Sequence, residues 1–296
     1  MKIGMSFLGI GPFSALEPMT HIAQKSEQCG FESLWMPDHS AIPDGHKSSC
    51  PYTPDGRIPP SGEPTPLNEP IVALSYLAAL TSRIRLGTGV MILPQRHPFY
   101  VAKELATLDL VSQGRALLGI GSGWLAEEFD ALGLDFHKRG KRTDEAIKSL
   151  HALWRDDPST FKGEHFNFER IRSFPKPVQK GGVPILIGGH SQAAARRAAR
   201  LGDGFFPVPP ASFQSSEAAY LGELKRILAM FKEECAKAGR KPDEVELSTN
   251  GTPDLDSVRR FEDLGVKRVI FGPPAWERDE LERALEKMGN EIIARV

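Results

Sequence analysis

The feature that most constrains this chain is the alternation of short apolar runs with longer amphipathic runs. The pattern is typical of parallel β-α units. Eight strands are predicted, at Lys2–Gly9, Ser33–Pro37, Ile84–Val90, Arg115–Ile120, Pro184–Gly188, Gly204–Pro207, Val245–Thr249 and Arg268–Gly272. Eight strands close a (β/α)8 TIM barrel, an α/β fold of about 250 residues. Since the chain has 296 residues, we predict a single barrel domain over 1–296.

Helices are predicted between these strands, and two insertions interrupt the repeat. The helices are Glu17–Cys29, Glu69–Thr81, Phe99–Leu110, Thr143–Trp154, Ser191–Leu201, Ser216–Ala238, Asp256–Leu264 and Glu277–Ile293. The first insertion, about 40–69, is rich in proline, glycine and polar residues and follows the second strand. Loops there overhang the face of the barrel that carries active sites, so we interpret it as a substrate lid. The second, about 160–182, is a predicted hairpin with an extended stretch before the fifth strand.

Composition excludes several classes of protein. The net charge of -1 gives no basic stripe for nucleic acid and no attraction to an acidic membrane surface. No apolar run approaches the ~20 residues that span a bilayer, and we expect no signal peptide. The three cysteines, Cys29, Cys50 and Cys235, form neither a disulfide framework nor a zinc-binding spacing. We therefore expect a cytoplasmic protein without a metal, acting on a small molecule.

The active site of a TIM barrel lies at the C-terminal ends of its strands. Here those ends are rich in glycine and poor in charge, and glycine lets a ligand approach the backbone closely. Helix starts after 121–123 and 188–191 can also hold phosphate. Tight turns alone could explain each glycine, but their convergence favours a flat or phosphorylated ligand. The candidate residues are Asp38, His39, Gly89, Val90, Gly121, Ser122, Gly123, Trp124, Gly188, Gly189, His190, Ser191 and Asn250.

His39 is the leading titratable candidate, because it ends a strand and a loop follows it. A structural histidine is the alternative, and His97, His137 and His190 are weaker candidates. Glu127 and Glu128 are adjacent on a helix, which is a poor arrangement for a glycosidase pair. A Schiff-base enzyme needs a lysine near the C-terminal end of a strand, and no predicted strand has one there. Arg139, Lys141 and Arg142 form a basic cluster at a helix start, which we interpret as a solvated face.

Several motifs occur in the order of a known family. They are Cys29–His39, Ile84–Val90, Ala102–Asp109, Gly114–Gly123, Pro184–Ser191 and Arg196–Gly204. Over about residues 1–207 the chain resembles the luciferase-like family (the bacterial luciferase superfamily) of flavin- and deazaflavin-dependent oxidoreductases. Within it, the sequence is most similar to the branch that uses coenzyme F420.

The resemblance implies a dimeric barrel, here a homodimer, with the cofactor ring across its mouth. It places the ring against a cis peptide at Gly89–Val90. The free amides of the helix start predict the phosphate toward Gly188–Ser191, and we expect Asp38 and 121–123 in the cofactor site as well. From its position at a strand end, His39 is expected to exchange a proton with the substrate. Trp124 and Asn250 would line the substrate pocket.

Three functions stay open. The first is F420-dependent hydride transfer to or from an organic substrate, and the second is an FMN-dependent monooxygenase. The third is a catalytically silent flavin-binding barrel. Members that oxidise sugar phosphates carry glutamate where Trp124 stands, which argues against such a substrate. Val208-Pro209-Pro210 replaces a phosphate-binding loop of some F420 members and supplies few N–H donors, which keeps FMN open.

Overall fold

Eight parallel strands form a closed barrel in the computed structural model, which describes residues 1–53, 55–57, 65–210 and 216–296. The barrel strands are β1 (Lys2–Met5), β2 (Ser33–Met36), β3 (Arg85–Ile92), β4 (Ala116–Gly121), β7 (Ile185–Gly188), β8 (Gly204–Phe206), β9 (Glu246–Gly251) and β10 (Arg268–Phe271). Their order around the barrel is β1-β10-β9-β8-β7-β4-β3-β2. All eight predicted strands are present, and the predicted (β/α)8 fold is confirmed.

Helices follow the strands around the outside of the barrel. They are α1 (Leu16–Gln28), α2 (Pro70–Leu80), α3 (Pro98–Val111), α4 (Ala126–Ala131), α5 (Arg139–Arg155), α6 (Gln192–Leu201), α7 (Glu217–Ala238), α8 (Leu255–Asp263) and α9 (Arg278–Glu291). Buried Leu, Ile and Ala side chains on α3, α5 and α6 pack toward the strands. This is the amphipathic pattern that predicted most of the helices.

Some boundaries differ from the sequence prediction. The first strand ends at Met5 rather than Gly9, because Phe7 adopts a φ of 61° and a 3-10 turn over Gly11–Ser14 follows. Helix α5 begins at Arg139 rather than Thr143. No bounds were predicted for helix α4, although Glu127 and Glu128 were expected to lie on a helix, since its six residues are too few to display a helical period.

Both insertions lie where they were predicted. The second contains an antiparallel hairpin of β5 (Ser159–Lys162) and β6 (Asn167–Ile171) before β7. The first follows β2, and its residues 40–53 contain neither helix nor strand. We call residues 40–53 the lid segment. The remainder of the predicted lid includes 54 and 58–64, which lie outside the described residues.

A tryptophan fills the interior of the barrel. Trp35 of β2 is buried with Leu117, Leu186, Phe206 and Ile270 from other strands. Its ring approaches the neighbouring backbone closely: a Cβ added at Gly87 would lie 2.8 Å from the indole, and one added at Gly4 also 2.8 Å. Glycine at these two positions therefore makes room for the indole.

The N-terminal end of the barrel is closed by a buried ion network. The Arg268 guanidinium is 0% exposed and binds the Glu32 carboxylate at 2.8 Å through two nitrogens. It also binds Glu246 at 2.5 Å and the Ser248 hydroxyl at 3.1 Å, and it lies 5.5 Å from the Trp35 ring. Its hydrogen bonds and charge hold the pKa values of both glutamates below the ordinary range, although burial acts in the opposite direction.

Within the described ranges, no helix has the length and apolar character needed to cross a membrane. The same ranges contain no group of three or more His, Cys, Asp or Glu side chains that could hold a metal ion.

Candidate active site

The floor of the barrel mouth is apolar. Val90 and Val208 are half-buried and pack on the interior cluster that contains Trp35. The Gly89–Val90 peptide is cis, as predicted, and the register between β3 and β4 shifts between Thr88 and Met91. The result is a hydrophobic surface at the C-terminal ends of the strands, which suits a flat aromatic ring.

Two of the predicted cofactor glycines contact a side chain of the barrel itself. A Cβ added at Gly121 or at Gly188 would lie 2.9 Å from a methyl group of Val90. Gly123 has a φ of +79° and an added Cβ there would meet Phe129 at 2.7 Å. These positions thus have packing reasons to be glycine, and their contact with a cofactor stays a prediction.

His39 follows β2 and is tied to a buried carboxylate. Its Nδ1 lies 2.9 Å from Glu128 Oε2, and the two side chains are 13% and 0% exposed. Burial raises the Glu128 pKa, but hydrogen bonds from His39 and the Ala41 amide, with the charge of His39, lower it overall. The ring of His39 also meets Trp124 edge-on, with centroids 5.9 Å apart.

Asp38 faces away from its neighbour His39. Its Oδ2 accepts the Ile92 amide at 3.0 Å, and its Oδ1 pairs with Arg96 at 2.9 Å. The side chain is buried, and Arg96 also pairs with Glu69 at 2.9 Å. Both carboxylate oxygens therefore have internal partners that fix the end of β3, and cofactor binding by Asp38 stays a prediction.

Helix α4 anchors the lid segment through two adjacent carboxylates. Glu128 Oε1 accepts the amides of Ser40 and Ala41 at 2.6 and 3.1 Å. Glu127 Oε1 accepts those of Lys47 and Ser48 at 2.6 and 3.0 Å. The start and the middle of the lid segment are thus fastened to one turn of helix.

Aromatic contacts extend this closure across the mouth. His46 of the lid segment meets Trp124 edge-on at 5.8 Å between centroids. Tyr52 meets His190, which follows β7, at 6.0 Å, and burial raises the pKa of Tyr52 to about 12. The lid segment therefore contacts both sides of the site, at the ends of β4 and β7.

His190 and Ser191 lead from β7 into α6. Burial lowers the pKa of His190, and its buried Nδ1 has no hydrogen-bond partner in the described part of the chain. The Ser191 hydroxyl caps α6 by accepting the Ala194 amide at 3.2 Å, while Gly189 takes a φ of +119°. A neutral histidine with an unused acceptor lies beside a helix start, where amides and the dipole favour anions.

Arginines lie behind the end of β4. Arg197, 9% exposed, donates to the Ser122 hydroxyl at 3.1 Å and pairs with Asp144. Arg139 donates to the Gly123 carbonyl at 3.1 Å and stacks on the Phe136 ring. Burial, followed by the nearby Arg197 charge, lowers the pKa of Arg139.

The interpretation of the basic cluster as a solvated face is wrong for two of its members. Arg139 and Arg142 are half-buried, and Arg142 donates to the Pro94 carbonyl at 2.7 Å and lies over the Phe166 ring. Only Lys141, 78% exposed, lies on the surface. The planar guanidinium groups of Arg139 and Arg142 pack on rings and carbonyls. The pattern of charges in the sequence cannot reveal such packing.

The other candidates lie as follows. Asn250 is half-buried on β9, where the strand register sets it beside Ile270 of β10. His97 caps α3, with its Nδ1 accepting the Phe99 amide at 3.2 Å, and is structural. His137 is exposed on a short 3-10 turn.

The model of the luciferase-like monooxygenase family matches residues 6–257. The chain belongs to the luciferase-like family. An uncharacterized protein of Mycobacterium tuberculosis is 34% identical over 300 residues, covering 96% of this chain and 99% of that protein. An F420-dependent glucose-6-phosphate dehydrogenase of Nakamurella multipartita is 30% identical over 283 residues, covering 93% and 75%. The chain is thus an oxidoreductase of the luciferase-like family.

Solved structures share the luciferase-like fold at low identity. The monooxygenase RslO1 of Streptomyces bottropensis superposes with a TM-score of 0.76 at 21% identity, covering 99% of each chain. The coenzyme F420 dependent tetrahydromethanopterin reductase of Methanopyrus kandleri gives 0.75 at 18%, covering 99% of this chain and 98% of that one. The first is a monooxygenase and the second is a reductase, so the likeness supports the barrel fold alone.

Sequence reasoning about this luciferase-like chain missed Glu128 as a functional residue. It was weighed only as half of a glycosidase pair with Glu127. A signal was nevertheless present: Glu128 stands between apolar Leu125 and Phe129, three residues before it and one after it. A carboxylate buried among apolar residues must find partners, and here it finds His39.

Replacing Glu127 with alanine should loosen the lid segment of this luciferase-like enzyme. Loss of two charge-assisted bonds should speed amide exchange at Lys47 and Ser48 by roughly tenfold. A hydrogen bond from the Ser48 hydroxyl, then backbone amides, lower the Glu127 pKa to about 2. Since this folded-state pKa is depressed, the anchor should hold above about pH 4 and be lost toward pH 2. Hydrogen exchange detected by mass spectrometry measures both effects.

The matched control is Asp130→Ala, an exposed acid on the same helix. It should leave exchange of the lid segment at the wild-type rate. Equal exchange in the Glu127→Ala variant and wild type would show that Glu128 and the aromatic contacts hold this segment without Glu127.

Proposed function

We propose that this chain is an F420-dependent oxidoreductase that transfers a hydride between the deazaflavin and an organic substrate. The observation that carries the proposal is that buried Glu128 holds His39 at the barrel mouth, which has an apolar floor. Such a site offers proton exchange beside a surface suited to a flat ring. The glucose-6-phosphate dehydrogenase relative, named as F420-dependent, supports the choice of cofactor.

The residues at the mouth fit such a cofactor. Coenzyme F420 supplies a carbon that carries a hydride and does not favour one-electron chemistry. Val90 and Val208 would support its ring, and the N-terminus of α6 behind Ser191 would receive its phosphate. Arg197 and Arg139 add positive charge near the end of β4. The buried Nδ1 of His190, which has no hydrogen-bond partner among the residues that the structure describes, is an acceptor that an N–H or O–H of a ligand could use.

The substrate pocket would lie between the floor and the lid segment. Trp124, flanked by His39 and His46, offers an aromatic surface and no charge, and Asn250 offers an amide. A sugar phosphate needs cationic or acidic partners that these two residues lack. We therefore propose an uncharged organic substrate rather than a sugar phosphate. The expected homodimer stays a prediction.

A second candidate is an FMN-dependent monooxygenase. Val208-Pro209-Pro210 follows β8, and proline has no N–H to offer a phosphate. This departure from some F420 members favours FMN. The likeness to the RslO1 monooxygenase is a likeness of fold and does not decide between the two cofactors.

Titration of the chain with F420 and with FMN, followed by cofactor fluorescence, should give tighter binding of F420. Val90→Asp should weaken that binding by more than tenfold, because a carboxylate would replace apolar surface beneath the ring. Val72→Asp, at a position 71% exposed on α2, is the control and should bind as wild type. A thermal unfolding curve for each variant separates lost binding from lost folding.

The outcomes separate the candidates. Micromolar binding of FMN with no binding of F420 would make the chain an FMN enzyme. Binding of neither would favour a catalytically silent barrel. Equal cofactor binding by Val90→Asp and wild type would show that the cofactor ring does not lie on the apolar floor around Val90.

A further inference from the structure

Among the described residues, the Glu128 carboxylate has three hydrogen-bond partners, all of them at consecutive positions. Oε2 lies 2.9 Å from His39 Nδ1, while Oε1 accepts the Ser40 amide at 2.6 Å and the Ala41 amide at 3.1 Å. The side chain is 0% exposed. The neighbouring Leu125, just before α4, and Phe129 on α4 are buried as well. The carboxylate therefore has little freedom to turn away from His39.

The direction of the hydrogen bond to His39 follows from the chemistry of the partners. Backbone amides can only donate, so Oε1 must accept from both. The net fall in the Glu128 pKa keeps the group ionised at neutral pH, and an ionised carboxylate is an acceptor only. Oε2 therefore has no proton to give, and the hydrogen atom between it and His39 must belong to Nδ1.

We propose that Glu128 is a positioning residue that fixes His39 as its Nδ1–H tautomer and so reserves Nε2 for proton exchange with the substrate. The exchange itself rests on the proposed function, whereas the tautomer does not. A neutral Nδ1–H imidazole has its lone pair on Nε2. When Nε2 takes a proton from a substrate O–H, the resulting imidazolium keeps its Nδ1–H bond to the carboxylate, whose charge stabilises it. Delivery of a proton from Nε2 reverses these changes.

The two amide bonds couple this tautomer to the lid segment. Ser40 and Ala41 are the first residues after His39, and the same carboxylate holds all three. The imidazole therefore acquires its fixed orientation only together with the start of the lid segment. Glu127, one residue earlier, holds the segment farther along, at Lys47 and Ser48, and has no described contact with His39.

This difference gives a matched pair of variants. In Glu128→Gln the amide oxygen can still accept from Ser40 and Ala41, but the amide nitrogen then faces His39 and can only donate. His39 Nδ1 must become the acceptor, and the ring proton must move to Nε2. The variant thus keeps the size of the side chain and reverses the tautomer. Glu127→Gln changes the neighbouring carboxylate and should leave the tautomer as it is.

The tautomer is read directly by 15N NMR of histidine-labelled protein. The measurement is made at about pH 9, well above the ordinary imidazole pKa of about 6.5, and the His39→Ala chain assigns the signals. Wild type and Glu127→Gln should show His39 with a protonated Nδ1 and a pyridine-type Nε2. Glu128→Gln should show the reverse. A protonated Nε2 in wild type, or an unchanged pattern in Glu128→Gln, would overturn the proposal.

Turnover then separates this inference from the proposed function. Glu128→Gln should lower kcat by roughly 10- to 100-fold, by analogy with the carboxylates that orient metal-binding histidines, with KM changed by only a few-fold. A reversed tautomer with unchanged kcat would remove His39 from the proposed chemistry while keeping the role of Glu128 in orienting it. If Glu128→Gln does not fold, the wild-type spectrum alone decides the assignment of the proton.

Discussion

Replacement of His39 by alanine is expected to lower turnover by about 10²- to 10⁴-fold, the range over which a positioned acid or base contributes. Affinity for the cofactor should change by only a few-fold, because the apolar floor around Val90 does not include the imidazole. Steady-state kinetics and fluorescence titration on one preparation measure the two quantities. A fall in kcat with retained cofactor binding is the signature of a residue that acts on the substrate.

The control for this substitution is His137→Ala. His137 is exposed on the turn before α5, so its loss should leave both quantities at wild-type values. Unchanged turnover in the His39→Ala variant would make His39 a structural histidine. A variant that binds no cofactor and has lost its cooperative unfolding would indicate the same.

Replacement of Arg268 by alanine is expected to cost about 3–5 kcal/mol in the free energy of unfolding. The substitution leaves Glu32 and Glu246 without their shared cation at a buried site, and removing one partner from a buried ion pair carries a cost of this size. It also removes the guanidinium from beside Trp35. Urea unfolding followed by circular dichroism measures the change.

Arg278→Ala is the comparison, since that arginine is 60% exposed and pairs with Glu17 at the surface. It should change stability by less than about 1 kcal/mol. Acid provides a second check. The folded-state pKa values of Glu32 and Glu246 are lowered, so their stabilisation is full above about pH 4.5 and falls as the pH decreases. Arg268→Ala should make stability depend less on pH in this range. A loss of unfolding free energy no larger than that of Arg278→Ala would contradict the stabilising role of the ion network.

The barrel could be predicted because its pattern is local and repeated. Each strand is a short apolar run, and most of the helices that cover it show a helical period, so errors at one boundary do not alter the count. The predicted bounds of elements were wrong or missing where local geometry departs from the repeated β-α pattern. Phe7 turns the chain at a positive φ and ends β1 early, and helix α4 is too short to display periodicity.

The site could be predicted only in part, because glycine shows that space is needed without showing what fills it. Gly121 and Gly188 were singled out for a ligand, and in the folded chain they also make room for Val90. Glu128 shows the opposite problem, because it was not predicted as a site residue. Its partner His39 lies 89 positions away in the chain. No local pattern connects residues at that separation, although a carboxylate between apolar Leu125 and Phe129 indicated that some partner was needed.

The indole that occupies the barrel interior links positions that are distant in the chain. Because Trp35 leaves no space for a Cβ at Gly4 or at Gly87, these three positions cannot diverge independently. A homologue with a side chain at either glycine needs a smaller residue in place of the tryptophan. A homologue that loses the tryptophan is free to vary Gly87, whereas Gly4 also lies against the Ser33 hydroxyl, 2.8 Å from an added Cβ. Their substitutions should therefore occur together across the evolutionary history of the family, as a covarying set that records how this barrel is filled.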